Sequence, residues 1–220
     1  MATKNVSAPS GESNAPAAAP KGWAPASPGG LVAVAAATSG LAALIGGLIV
    51  DPHGGPDGGP GPDPTGFALM GCWLLGGAVI QIITAVLELK SGELLGGNTF
   101  LYLGGFMMFT GGIEMIMMYH IMAGGGKPNA LLDGVIWSAL SLVLWTWTPA
   151  YVKPFSLLSV IFILLDVALP TFALANLGVA PGLMTKVSAV CFALVALVAV
   201  YFSAAIIVNS TQGKKIYPMP

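Results

Sequence analysis

Six long apolar runs dominate this sequence and restrict what the chain can fold into. They cover residues 30–50, 67–89, 98–122, 130–148, 155–176 and 183–209. A helix needs about 20 apolar residues to cross the hydrocarbon core of a bilayer, and every run is roughly that long or longer. Only 8% of the 220 residues are charged, whereas soluble domains usually carry roughly 25%. The sequence therefore predicts an all-α integral membrane protein with six transmembrane helices, surrounded by membrane lipid.

The segments outside these runs have a different composition. Residues 1–29 are rich in Ala, Pro, Ser and Gly and lack the basic and apolar regions of a signal peptide, so we expect a disordered tail. Residues 30–209 form the predicted membrane domain, and residues 210–220 form a second short tail. Between the first two runs, Pro and Gly are so dense over residues 51–66 that we expect neither helix nor strand.

The placement of the lysines predicts the orientation in the membrane. If both termini are cytoplasmic, the inside segments hold six lysines and the outside segments hold two. The inside set is Lys4, Lys21, Lys90, Lys153, Lys214 and Lys215, and the outside set is Lys127 and Lys186. Because inside loops carry the excess of positive charge, we expect an N-in, C-in topology in the plasma (inner) membrane.

A polar stripe follows one side of the second run. Gly77, Gln81, Thr84 and Glu88 succeed one another at steps of four, three and four residues, which places them on one face of a helix. Unpaired polar groups in hydrocarbon cost several kcal/mol each, so this face must meet protein or water. We interpret the stripe as one wall of a solute pathway.

The third run and its approach are rich in glycine. Glycines at helix contacts let two helices approach closely, and we assign this role to Gly77, Gly92, Gly96, Gly97, Gly104, Gly105, Gly111 and Gly112. Close packing is also compatible with a role of this run in the solute pathway. In that case we expect the pathway to be lined by Asn98, Tyr102 and Phe106.

Two carboxylates lie well inside apolar runs. Glu114 is two-thirds of the way along the third run, and Asp166 is four residues before Pro170 in the fifth. Intramembrane carboxylates are costly and usually face a cavity or a partner. Two alternatives therefore stay open for each: a proton-handling group on the pathway, or a protonated structural group held by hydrogen bonds.

Several other functions find no support. A net charge of −1 argues against nucleic acid as a partner. His53 and His120 are far apart in the sequence, and Cys72 and Cys191 both lie in apolar runs, so neither pair predicts a metal site or a disulfide framework. The sequence shows no nucleophile with a base, no phosphate loop and no haem spacing. We therefore expect neither an enzyme nor a bound cofactor.

Over residues 77–106 the sequence resembles the acetate uptake transporter family, which includes bacterial succinate–acetate permeases and yeast ammonia/acetate export proteins. The residues that carry the resemblance are Gly77, Gln81, Glu88, Lys90, Gly92, Gly96, Phe100, Gly104 and Phe106. The resemblance implies a homo-oligomer, specifically a hexamer, with one pore in each subunit. It also implies an apolar constriction of that pore at Val34, Leu103 and Ala168, where Leu103 replaces the family's tyrosine.

The leading hypothesis is a transporter or channel for a small monocarboxylate such as acetate. No basic residue lies deep in the predicted pathway, which favours movement of the protonated acid or co-transport with a proton. One alternative is a channel for a neutral solute such as urea, a short amide or ammonia. Another is a scaffold subunit of a membrane complex that transports nothing itself.

Overall fold

The computed structural model describes residues 24–52, 61–153 and 155–219. Within them, six helical segments are long and apolar enough to cross a membrane, which confirms the six-helix prediction. They are α1 (Ser27–Ile45), α2 (Pro64–Lys90), a third span (Leu94–Ala123), α5 (Ala130–Tyr151), α6 (Leu157–Asn176) and α7 (Pro181–Gln212). His53 and residues 1–23 of the expected tail lie outside the described residues.

Local capping chemistry explains where the predicted and observed helix ends differ. α1 begins at Ser27, with Pro28 in its first turn, and ends before Gly46, so the first helix is shifted towards the N-terminus relative to 30–50. α2 begins at Pro64 because the Asp63 side chain accepts a hydrogen bond from the Thr65 backbone N–H at 2.9 Å. The ends of helices are fixed by such groups, which average hydropathy does not register.

The loop between α1 and α2 corrects one expectation. A two-residue antiparallel ladder joins β1 (Val50–Asp51) to β2 (Gly61–Pro62), although the density of Pro and Gly argued against any strand. The ladder joins the two ends of the loop. A proline is tolerated there because both strands are edge strands, where its missing N–H can face away from the partner strand.

The third span is interrupted by a π-helix. It consists of α3 (Leu94–Tyr102), an eight-residue π-helix (Leu103–Thr110) and α4 (Gly111–Ala123). The Thr110 hydroxyl donates to the Gly105 carbonyl five residues earlier at 3.0 Å, which supports the wider turn. Segments of π-helix are rare and frequently occur at functional sites.

The six spans form a ring around one axis. α5 packs on α6, α6 on α7, α7 on α1, α1 on α2, and α2 on the third span. Side chains close the ring between the third span and α5: Tyr102 donates to the Leu140 carbonyl at 3.0 Å, and Tyr151 hydrogen-bonds to Thr99 and to the Leu95 carbonyl. We call the side on which α1 begins and α7 ends the terminal face, and the other side the opposite face.

Half of the eight predicted packing glycines lie at very close contacts. A Cβ atom at any of these four would come within 3.1 Å of a neighbouring side chain: Gly77, Gly97, Gly104 and Gly112. At Gly104 the neighbour is Gln81 Cβ, and at Gly112 it includes the carbonyl oxygen of Gly71 on α2. Glycine therefore sets the distance between α2 and the third span.

The other four glycines differ from the expectation to varying degrees. Gly92 has a φ of +86° and forms the turn after α2, so backbone conformation requires it rather than packing. Gly105 has no atom within 4 Å of its would-be Cβ and faces outward. A Cβ atom at Gly111 or Gly96 would make only ordinary contacts, the shortest of them 3.5 Å, from position 96 to a Glu88 carboxylate oxygen.

Candidate solute pathway

A cavity of about 420 Å³ opens at the terminal face, on the axis of the ring. Its walls come from α1, the end of α2, α3, α6 and α7, and they are mostly apolar. Phe100, Phe162 and Phe202 supply aromatic surface from three different helices. The charged lining residues among those described are Glu88 and Glu93, with no lysine, arginine or histidine. We call this space the terminal cavity.

A second, much smaller cavity of about 20 Å³ lies closer to the opposite face. Its lining includes Leu41, Met107, Trp137 and Leu169, together with one carboxylate, Glu114. The Glu114 carboxyl group has the carboxyl group of Asp133, in the first turn of α5, as a close neighbour.

An apolar layer separates the two cavities. On α6, Leu165 lines the terminal cavity and Leu169 lines the small one, with fully buried Ala168 between them. On the third span, Leu103 and Met107 hold the corresponding positions. Four residues of α-helix rise about 6 Å, so the layer is only about one helical turn thick.

Thr38 is the one polar side chain that α1 places in this layer. It lies between Val34, which lines the terminal cavity, and Leu41, which lines the small one. Its hydroxyl donates to the Val34 carbonyl at 2.8 Å and is fully buried, so it offers no free donor to the axis. The residues that α1, α6 and the third span place in the layer therefore present apolar surface to the axis and no free hydroxyl donor.

The three residues of the expected constriction and one residue of the expected polar wall meet the axis. Val34, Leu103 and Glu88 line the terminal cavity, and Ala168 lies in the apolar layer. The Ala168 carbonyl accepts hydrogen bonds from Ser188 on α7 at 2.9 Å and from Thr171 at 3.0 Å. The bond from Ser188 thus ties the backbone of α6 to α7 at Ala168, a residue of the apolar layer.

The polar stripe on α2 does face the interior, but most of it meets protein. Gln81 is fully buried, and its Nε2 donates to the Gly30 carbonyl on α1 at 2.8 Å. Thr84 is buried near Gly29, which also belongs to α1. Neither residue lines a cavity, which differs from the interpretation of both as solute contacts. Only Glu88, at the end of the stripe, reaches the terminal cavity.

The other predicted residues of the third span point elsewhere. Asn98 donates to the Leu94 carbonyl of its own helix at 2.7 Å, and Tyr102 packs edge-on against Trp147, with ring centroids 5.9 Å apart. Phe106 is 51% exposed on the outer surface. The rings of Tyr102 and Phe106 remain neighbours, with centroids 6.0 Å apart, but Tyr102 is buried and Phe106 lies on the outer side of that contact.

Asp166 lies in the seam between α5 and α6 and lines neither cavity. Its Oδ2 accepts a hydrogen bond from the Thr148 hydroxyl at 2.6 Å, and its Oδ1 is buried without a partner. Pro170 has no N–H for the Asp166 carbonyl, and the Trp145 indole N–H donates to that carbonyl instead at 2.9 Å. The structure therefore favours a structural role for Asp166.

Sequence reasoning missed two carboxylates in or beside the cavities. Asp133 is a close neighbour of Glu114, and Glu93 lines the terminal cavity. Asp133 lies inside the fourth apolar run, so the rule applied to Glu114 and Asp166 would have selected it as well. Glu93 lies in a loop, and no sequence signal marked it.

Among solved structures, the chain matches the bacterial acetate channel SatP with a TM-score of 0.68 and 19% sequence identity. The match covers 90% of this chain and 100% of that one. The chain has the fold of a bacterial acetate channel. No protein-family model matches the sequence. No curated protein matches it either. The match supports the six-span arrangement described above.

Proposed function

We propose that this protein is a membrane passage for a small monocarboxylate such as acetate. The observation that carries the proposal is the pair of cavities on the axis of a single chain, separated by an apolar layer about one helical turn thick. The acetate-channel fold supports the proposal, as does the sequence resemblance over residues 77–106.

The charges along the axis favour the undissociated acid over the anion. Glu88 and Glu93 line the terminal cavity, and Glu114 lines the small cavity, without a described basic residue in either lining. A carboxylate anion would lose hydration in the apolar layer and would meet like charge in the cavity. The protonated acid avoids both costs. Glu114 in the small cavity, with Asp133 beside it, is our candidate for a proton-handling group near the opposite face.

Acetate uptake into liposomes that contain the purified protein tests this proposal. We expect uptake to rise as the external pH falls from 8 to 5, beyond the rise that protein-free liposomes show. Protein-dependent uptake that is equal at both pH values would contradict passage of the protonated acid. Absence of any protein-dependent uptake would contradict transport of acetate altogether.

The same apolar lining also suits a small neutral solute, so the assay includes urea. Faster flux of urea than of acetate at pH 5 would favour a neutral-solute channel. Absence of flux for both solutes, together with stable co-purification of different chains, would favour the scaffold alternative.

We further propose that the protein forms a homo-oligomer in the plasma (inner) membrane, with both termini in the cytoplasm. The resemblance implies a hexamer. Support comes from the outer surface of α2 and the third span, where Gly76 and Gly105 are open and Trp73, Phe106 and Phe109 are exposed. Native mass spectrometry tests the state: a mass of six chains is expected, and a monomer under gentle conditions would contradict it.

A further inference from the structure

The terminal cavity contains a deeply enclosed carboxylate. The Glu88 side chain lines this cavity and is only 7% exposed. Its carboxylate has neither a hydrogen-bond donor nor a cation as partner among the residues that the structure describes. An enclosed charge without a partner is costly, because little water remains to solvate it. A ligand that brings a positive charge into the cavity would offset this cost.

A second carboxylate makes the cavity negative. Glu93 is exposed in the turn between α2 and α3 and lines the same cavity, whose described lining holds no basic side chain. Lys90 is close in the sequence, but it is exposed and lies outside the lining. The N-terminus of α3, which begins at Leu94, contributes the equivalent of only about half a positive charge. Two carboxylates outweigh this contribution, so the cavity attracts cations.

Two hydroxyl groups in the lining add hydrogen-bond acceptors. Ser91 donates its hydroxyl proton to the Leu87 carbonyl at 2.9 Å. Thr99 donates its own to the Leu95 carbonyl, also at 2.9 Å. A hydroxyl has a single proton, so each of these groups has only lone pairs left for a further partner. An ammonium group carries donors and no acceptor, and it therefore complements both the carboxylates and these hydroxyls.

The rest of the wall is apolar and extensive. The cavity volume of about 420 Å³ lies within the range of roughly 300–1,000 Å³ that is usual for small-molecule sites. Phe100 on α3 and Phe202 on α7 contribute aromatic surface, and Leu31 on α1 contributes aliphatic surface. A simple ion would leave this surface in contact with water, whereas an apolar group on the ligand would cover it. The lining therefore suits a ligand that has both a positive charge and an apolar body.

We propose that the terminal cavity binds an organic ammonium cation, a monoamine that carries an alkyl or aryl group. Its charged group lies at Glu88 and Glu93, and its apolar body packs against Phe100 and Phe202. Because Leu165 lines the same cavity at the edge of the apolar layer, a ligand bound there obstructs the passage from the terminal face. The proposal concerns occupation of the cavity and does not depend on which solute crosses the layer.

Equilibrium dialysis of the full-length protein in detergent at pH 7 tests the proposal with a matched set of radiolabelled ligands. Phenylethylammonium is the cation, phenylethanol is its neutral analogue, and phenylpropanoate is the anion. Methylammonium supplies the charge without a large apolar body. Binding to protein-free micelles is measured separately and subtracted, because aromatic ligands also enter detergent.

We expect phenylethylammonium to bind at least about tenfold more tightly than phenylethanol, a ratio that corresponds to ~1.4 kcal/mol. Phenylpropanoate and methylammonium should both bind more weakly than phenylethylammonium. Glu88→Gln should remove most of the preference for the cation and should keep the binding of phenylethanol, which verifies that the cavity is intact. Glu114→Gln makes the same chemical change in the small cavity and should leave the preference for the cation unchanged.

Equal affinity of the wild-type protein for phenylethylammonium and phenylethanol would overturn the proposal, and this comparison needs no variant. Absence of saturable binding of phenylethylammonium would overturn it as well. An equal loss of preference in Glu88→Gln and Glu114→Gln would overturn the assignment of the charged group to the terminal cavity. Dialysis measures binding rather than flux, so its failure and the failure of acetate uptake are distinguishable.

Discussion

Replacing Gly71 with alanine should destabilise the protein, because the closest backbone contact between α2 and α4 passes through this residue. A Cβ atom at position 71 would lie 2.7 Å from the Gly112 carbonyl oxygen and 2.7 Å from Ile116 Cγ1. A carbonyl of a neighbouring helix cannot rotate away as a flexible side chain can. The two helices must therefore separate, and the contacts beside Gly112 are lost with them.

The expected loss follows from two opposing effects. Overpacking of a tight contact typically costs about 1–3 kcal/mol, and a clash with a backbone carbonyl falls in the upper part of that range, at ~2–3 kcal/mol. Alanine has a higher helix propensity than glycine, worth up to ~1 kcal/mol, which leaves a net loss of about 1–2 kcal/mol. For a chain of this size, each kcal/mol lowers the melting temperature by about 2–4 °C. We therefore expect Gly71→Ala to melt about 2–8 °C below the wild type.

Thermal unfolding in detergent, followed by the fluorescence of the five tryptophans, measures this change. Gly76→Ala is the matched control on the same helix, because nothing lies within 4 Å of its would-be Cβ. It should melt at the wild-type temperature or up to about 4 °C above it, because the helix propensity of alanine is gained without a clash. A Gly71→Ala protein that melts at or above the wild-type temperature would refute the proposed helix contact.

Two further predictions concern the apolar layer and the proline in α6. Leu103→Ala should widen the layer and raise the flux of butyric acid relative to acetic acid several-fold in liposomes. Phe106→Ala, on the outer surface, should leave that flux ratio unchanged. Equal flux ratios in the two variants would count against the layer as the selective barrier. Trp145→Phe removes the donor to the Asp166 carbonyl and should cost about 1–3 kcal/mol in thermal unfolding. Trp73→Phe, at a 70% exposed residue, should cost much less, and similar melting of the two variants would contradict the role of that hydrogen bond.

Hydropathy predicted the six spans because each must satisfy the same bilayer thickness, whatever its neighbours are. The direction of the α2 stripe also followed from helical periodicity, and Gln81 and Thr84 are indeed buried. Periodicity does not say whether a buried polar face meets water or another helix. Here α1 approaches so closely that Gln81 bonds to the Gly30 carbonyl, and only Glu88 remains for the cavity.

The third span holds the largest difference between the expected and the observed pathway. Asn98, Tyr102 and Phe106 were expected to line the pathway, but none of them lines either cavity. In the π-helix of this span the buried residues are Leu103, Gly104, Met107 and Met108, whereas Phe106 is 51% exposed. The propensities of single residues do not distinguish a π-helix from an α-helix, since both suit the same apolar side chains.

The central claim is that solute crosses the apolar layer inside a single chain. Acetate flux in liposomes at pH 5 tests this claim most directly when Leu103→Trp is compared with Phe106→Trp, at two positions three residues apart on one span. Thermal unfolding first verifies that both variants are folded. Leu103→Trp should then fill the layer and reduce acetate flux at least about tenfold, which corresponds to a rise in barrier of ~1.4 kcal/mol. Phe106→Trp should keep most of the wild-type flux. Equal flux through the two variants would contradict the claim and would place the passage elsewhere.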